Sequence, residues 1–387
     1  MKLAIVTHKF GKGDGQGRVN YEIAREALQQ GHQLTLIATE IAEEFRQHPA
    51  VSWVPISVDR WPSALLKAQV FAAKSARWLN ANRQSLDVVQ VNGFITWAAS
   101  DVNAVHFVHG AWQRSPVHIA RLRRDLYGLY QWFYTALNAR LERKAFAESG
   151  AVVAVSERVK EELMAIGVPE TQIQVIINGV DLNEFVPGPA ARLLLGLPEG
   201  VTLALFAGDI RTPRKNLDTV LRALVSVPEL HLLVAGATPG SPYPALSKQL
   251  GLSGRVHFLG FRRDIPTLMR ASDLFVFPSR YEACSLVLLE ALASGLPVIT
   301  ATTAGGAEVV TPECGIVLPD PNDAGALATA MIALAENQER RQKMSLAART
   351  VAEKYSWSRM ANNYLQVCQA SESKCGSTPI PLGELKA

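Results

Sequence analysis

Long apolar runs are missing from this chain. Nowhere in its 387 residues do eighteen uncharged apolar residues follow one another, which excludes a helical segment built to span a bilayer. Cysteine is scarce as well. Cys284, Cys314, Cys368 and Cys375 show neither CxxC spacing nor pairing with histidines, so no structural zinc site is expected, and reduced thiols in the cytoplasm are the simplest reading. Charge of one sign is in short supply: the net charge is +4, and no nucleic-acid partner is expected. The opening Met-Lys followed by LAIVT (residues 3–7) is too short for a signal-peptide core and lacks a small-residue cleavage site, so it reads as a first buried strand.

Apolar residues are nevertheless plentiful, at 48% against 19% charged. That composition suits a globular α/β protein, and the length suits two domains of ordinary size. Short apolar runs alternate with helical stretches. LAIVT leads into a glycine-rich loop and a helix over residues 18–30, with Gly31 where a C′ glycine belongs. Strands are expected at residues 33–39, 88–91, 104–109 and 151–156. Continuous apolar strands between helices imply a parallel sheet covered on both faces.

Residues 178–200 carry a turn dipeptide, prolines and glycines, and read as a linker. The alternation then restarts, with strands expected at 202–208, 231–236, 255–260, 274–279 and 297–302. The domains expected are residues 1–183 and 184–356, a helix over 357–370 crossing back to the first domain, and a disordered tail over 371–387. Parallel sheets of this type gather ligands at the carboxyl ends of their strands, so two such sets of ends would face each other across a cleft.

Four segments carry candidate chemistry. The first is RYEACSLVLLEALASGLPVI (residues 280–299). Glu282 and Glu290 stand seven residues apart, Ser285 is placed as a helix N-cap, and Gly295 and Pro297 stop the helix. Everything from Leu286 to Ala293 except Glu290 is apolar, so a lone carboxylate sits on a helix buried nearly all round. Burial of that charge costs several kcal/mol without strong hydrogen bonds. Either ligand hydroxyls or a buried Arg or Lys would supply them. The helix N-terminus offers free N–H groups to a phosphate.

The second segment, FAGDIRTPRKN, crowds Arg211, Arg214 and Lys215 into a turn before a helix. It suits a diphosphate, or simply a solvated basic turn. The third is the glycine-dense loop HKFGKGDGQGRVN. Its spacing fails the dinucleotide fingerprint counted from Gly11 or from Gly13, which leaves close backbone approach to a ligand or plain flexibility. The fourth is HFVHG. Alternation puts His109 at the end of a strand, where an active-site residue would project, although a lone histidine there also serves structural ends. His8 ends the first strand similarly.

The first segment resembles the signature of family-4 retaining glycosyltransferases. Their pattern E-x7-E followed by A-x-G-x-P-V is matched by EACSLVLLEALASGLPV at every fixed position. The resemblance extends to INGVDLNEFVP, RVHFLG, DLFVFPS and GGAEVV. It implies an α/β GT-B fold of two Rossmann-like domains with parallel sheets facing across a cleft, and a nucleotide-sugar donor with no bound cofactor. Glu282 would contact the donor sugar and Glu290 the ribose hydroxyls. Backbone amides of Ala283, Cys284, Ser285, Leu286 and Val287 would face sugar and diphosphate, and the base would meet the backbone near Phe261 and Arg262. Lys215 fits the family's phosphate cation. Asp209 stands where an arginine is usual, and Arg211, with Arg214 nearby, would replace it. The loop Asp14-Gly15-Gln16-Gly17 resembles the family's G-G-x-G with its first glycine changed, placing Gly15 and Gln16 by the donor phosphates or acceptor. His109 would lie near the transferred sugar.

The resemblance further implies transfer to a glycan, lipid or small-molecule hydroxyl. No Asp-x-Asp clamp occurs, so no metal is expected; a UDP-sugar is favoured only as the commonest donor. A sugar-nucleotide epimerase of the same fold and a non-catalytic sugar-nucleotide-binding protein are the rival readings. Two basic-aromatic segments, residues 121–144 and 67–83, admit either helices whose aromatics meet the core or elements resting on an anionic membrane surface.

Overall fold

The computed structural model describes residues 1–13, 15–189 and 192–375. Seven parallel strands form the first sheet: β1 (Lys2–Val6), β2 (Gln33–Ala38), β3 (Val51–Pro55), β4 (Val88–Asn92), β5 (Ser100–Val105), β6 (Ser149–Ala154) and β7 (Ile173–Val175). Their order is β3-β2-β1-β4-β5-β6-β7. Six more form the second: β8 (Thr202–Ala207), β9 (Leu230–Ala235), β10 (Val256–Gly260), β11 (Leu274–Phe277), β12 (Val298–Ala301) and β13 (Gly315–Leu318), in the order β10-β9-β8-β11-β12-β13. Each sheet reverses its strand order beside its first strand, which opens a crevice there at the carboxyl ends.

Both sheets are buried on both faces. Leu3, Ile5, Val88 and Val102 face one apolar cluster while Ala4, Val6, Val89 and Val91 face another, as continuous apolar strands require. The helix Trp357–Cys375 sends Met360, Ala361, Tyr364, Leu365 and Cys368 into the core of the first sheet. It packs on the first sheet and runs to Cys375, where the helix was expected to end at 370; residues 376–387 lie outside the described residues. Gly179 permits the close approach to this helix, since a Cβ there would stand 2.6 Å from Trp357 Cα.

Two expectations are corrected, and one open choice is narrowed. The strand expected at 104–109 is β5, ending at Val105, and His109 instead begins the helix His109–Arg114. The first helix is Gly15–Gln29, so Gly15 and Gln16 form its first turn rather than a loop. In the segment 67–83 Phe71 is fully buried in the helix Ala64–Asn82, so this element faces the core. The segment 121–144 behaves oppositely, with Leu126, Tyr127, Leu129, Trp132 and Phe133 exposed on the helix Leu126–Ala147.

Candidate active site

The helix Leu286–Ala293 points its N-terminus into a cavity of about 550 Å3 between the two sheets. Ser285 occupies the N-cap position, yet its side chain makes no capping bond. Gly295, with φ 74°, ends the helix in the left-handed region that a side chain resists. Glu290 lines the cavity, and its carboxylate has no hydrogen-bond or ion-pair partner among the described residues. Burial, then the nearby Glu184 carboxylate, pushes its pKa up to about 7, against the pull of Arg18. Among the described residues no cation pairs with its carboxylate, Arg18 being held instead by Glu22 and Asp181.

Lys215 and Glu282 meet in the lining of the same cavity, Nζ to Oε1 at 2.6 Å, both largely buried. Ser279 Oγ donates to the same carboxylate oxygen at 3.2 Å. Burial lowers the Lys215 pKa, and the Glu282 charge opposes that shift. Lys215 is aimed by Asn216, whose φ of 67° turns the chain and whose amide donates to the carbonyls of Pro278 and Pro321. Two glycines bring backbone to the cavity: a Cβ on Gly236 would lie 2.4 Å from the Gly208 carbonyl oxygen.

The basic turn is less open than its three cations suggest. Asp209 holds Arg211, Nε to Oδ1 at 2.8 Å, and Arg214 does not line the cavity. A carboxylate, not solvent, compensates the turn, because Asp209 and Arg211 lie two residues apart on the same wall. Phe261 and Arg262 also line the cavity, Phe261 largely exposed and Arg262 tied to Asp264 at 2.6 Å.

Across the cleft, Gly15 reaches the cavity from the N-terminus of its helix. Asp14 lies outside the described residues. Gln16 turns away toward Thr7 at 3.4 Å, and Ala283 stands behind the wall, its carbonyl accepting from Ser156 Oγ at 2.6 Å. His109 does not line the cavity either. Its ring packs on Phe107 and Tyr134, its Nδ1 has no partner among the described residues, and burial followed by the nearby His118 lowers its pKa to about 4. Glu142 accepts the backbone N–H groups of His109 and Gly110 at 2.9 and 2.8 Å, capping the helix end that carries the histidine. His8 packs edge-on against Phe71.

Residues 13–184 match the family model described as Glycosyltransferase Family 4, and residues 194–351 match Glycosyl transferases group 1. The chain belongs to this glycosyltransferase family. It is 34% identical over 246 residues to a D-inositol 3-phosphate glycosyltransferase of Mycobacterium sp. (strain KMS), covering 61% of this chain and 55% of that one. A protein of the same description from Mycolicibacterium smegmatis is 31% identical over 278 residues, 69% and 62% of the two chains. The match thus spans little more than half the length of these curated relatives. In fold the chain is similar to WaaG, a glycosyltransferase involved in lipopolysaccharide biosynthesis (TM-score 0.74, 21% identity, 95% and 99% covered). It is also similar to a sucrose-phosphate synthase from Thermosynechococcus elongatus (0.77, 19%, 97% and 100%) and to Anabaena HepE in complex with UDP and glucose (0.67, 21%, 96% and 100%). The fold is GT-B.

Within this family-4 chain, sequence reasoning missed Tyr281. Its ring is buried against Trp112 and Phe107 of the other half, and its hydroxyl donates to Glu162 at 3.2 Å. It therefore pins the residue before Glu282 across the cleft. Gly208, Gly236 and Ile265 also line the cavity unannounced. The glycines that end the TLALFAG and HLLVAG runs were the available signal for two of them.

Proposed function

We propose that the protein transfers a hexose from a nucleoside diphosphate sugar to an acceptor hydroxyl, retaining the anomeric configuration and needing no divalent metal. One observation carries this reading: Glu290, half-buried and with no described partner for its carboxylate, faces the same cavity as the Lys215–Glu282 pair. A vicinal diol satisfies an isolated carboxylate with two donors. That assigns Glu290 to the ribose and leaves the diphosphate between the two helix N-termini, at Gly15 and Leu286, whose N–H groups suit an anion.

As the bond from C1 to the phosphate oxygen breaks, its electron pair stays on the phosphate. Lys215 and Arg211 stabilise the charge developing there. Glu282, oriented by Lys215 and Ser279, holds the sugar. The acceptor oxygen attacks C1 on the face the phosphate leaves, and the departing phosphate oxygen takes the acceptor proton, so no carboxylate dyad is required. Metal independence is supported by the carboxylates themselves: Glu282 is engaged by Lys215 and Asp209 by Arg211. His109 is assigned to the sugar by the resemblance alone, since its ring packs on Phe107 and Tyr134 and does not line the cavity.

A thermal-shift panel of nucleoside diphosphates and nucleotide sugars tests the reading. UDP comes first, since HepE of the same fold holds it, and inositol phosphate is included among the acceptors because the curated relatives are described as acting with it. A ligand at a hundredfold its Kd stabilises by about 2.7 kcal/mol. No shift with any nucleotide would remove the donor assignment. Turnover abolished by chelator and restored by Mg2+ or Mn2+ would remove the metal-independent mechanism. Release of a free isomerised sugar without acceptor would favour the epimerase.

A further inference from the structure

Most large hydrophobics exposed on this protein are scattered, as on any soluble surface. One group is not. Leu122, Leu126, Tyr127, Leu129, Trp132 and Phe133 crowd into twelve residues, Leu126 being 85% exposed and Trp132 50%. Clustered exposure of this kind marks an interaction site.

The charge around it has one sign. Arg121, Arg123 and Arg124 are exposed beside the apolar group, and Asp125 is the only acidic residue from Arg121 to Leu141. That carboxylate is already engaged, capping Gly128 N–H at 2.8 Å and pairing with Arg123 at 2.6 Å. Arg121 and Arg124 have no ion-pair partner among the described residues. Between them Arg123, Arg124, Leu126, Leu129 and Trp132 line an open groove of about 580 Å3. Further along the same helix Arg140 and Arg143 are exposed on the face that carries Leu129 and Phe133.

We propose that this face, from Arg121 through the first two turns of the Leu126–Ala147 helix, docks on an anionic lipid bilayer. Apolar and aromatic side chains enter the interface while the arginines meet the headgroups. Charge selects this occupant over a second copy of the chain, because a two-fold contact through the patch would set arginines against arginines. The same helix carries Glu142, which caps the helix bearing His109, so docking fixes the first half of the cleft relative to the membrane. The proposal does not depend on the transferase reading.

Flotation of the full chain with vesicles of phosphatidylcholine, with and without phosphatidylglycerol, tests it. The chain is expected to bind the anionic vesicles at least about tenfold better than the neutral ones, with added salt weakening the preference. L126S/L129S/W132S is expected to lower binding about tenfold, and R121S/R124S to remove the preference for anionic lipid. Vesicles are also expected to protect Arg121, Arg123 and Arg124 of the wild-type chain from trypsin, a readout independent of any variant. Equal binding of wild type to both vesicles, triple-variant binding like wild type, or unprotected arginines would overturn the proposal. So would a lipid-free dimer that the triple variant dissolves.

Discussion

The two sheets order their first six strands alike, and both reverse beside their first strand, yet they treat the crevice at that reversal differently. In the first half the crevice is filled by the protein's own amides. Asn20 and Asn92 exchange hydrogen bonds at 3.1 Å, Asn92 donates to the Val6 carbonyl at 2.9 Å, and Asn20 to that of Gln16 at 2.9 Å. In the second half, glycines stand at the ends of β8 and β9, the cavity stays open, and Glu290 is left unpaired. One topology can therefore close on itself or stay open to a ligand, depending on whether its polar groups satisfy one another.

The largest effect that could break this contrast is on turnover. Lys215→Ala leaves Glu282 without its cation and, on the proposed mechanism, the leaving phosphate without its main stabiliser, so kcat is expected to fall roughly 100–1000-fold. Steady-state nucleotide release measures it, and a loss below about tenfold would mean that the second half does not stabilise the transition state. Glu290→Gln comes next, weakening nucleotide binding about tenfold in calorimetry.

The same carboxylate has a pH signature. In the ligand-free protein Glu290 keeps its proton up to about 7, whereas the unfolded chain loses it near 4.5. The native state binds the extra proton in that window, so stability declines as pH rises through it and is flat above. Glu290→Gln should therefore stabilise the free protein at pH 8, on the order of 2 kcal/mol, while nucleotide affinity of the wild type weakens as pH falls below about 7. Melting and binding series with pH decide both. Acid-weakened stability across that window would place the carboxylate in a different environment.

Smaller effects sharpen the contrast from the side of stability. Gly236→Ala pushes a methyl against the Gly208 carbonyl and should cost about 2 kcal/mol in urea unfolding, together with nucleotide affinity. Asn92→Ala should cost about 1–2 kcal/mol and leave nucleotide affinity untouched, since it strands the Val6 carbonyl in the filled crevice. The smallest change is Asp209→Asn. Releasing Arg211 is expected to tighten diphosphate binding a few-fold, and an unchanged Kd would show that Arg211 does not meet the phosphate.

Much of this was legible from residue order. Period and composition revealed parallel strands in two sets, because strands buried on both faces must be apolar throughout. The E-x7-E spacing singled out the cavity helix, because one carboxylate on an otherwise apolar helix needs a partner, whether a ligand or a buried cation. The short strands β3, β7 and β13 escaped notice; three to five residues carry too little pattern to separate a strand from a loop. Residues 104–109 were read as one strand since Val105 to His109 stays mostly apolar. Glu142, thirty-three residues from His109, draws that stretch into a helix end instead, and no local signal announces such a cap.

Residue order by itself determined most of the strands and helices and singled out one carboxylate on an otherwise apolar helix, since both follow from local periodicity and polarity. Tertiary structure alone decided the pairings. Asp209 neutralises Arg211, Lys215 reaches Glu282, Tyr281 bridges the cleft, and of two similar basic-aromatic helices one faces the core and the other solvent. Ion pairs and faces of this kind depend on distances across the folded chain, which hydrophobic pattern along it does not encode.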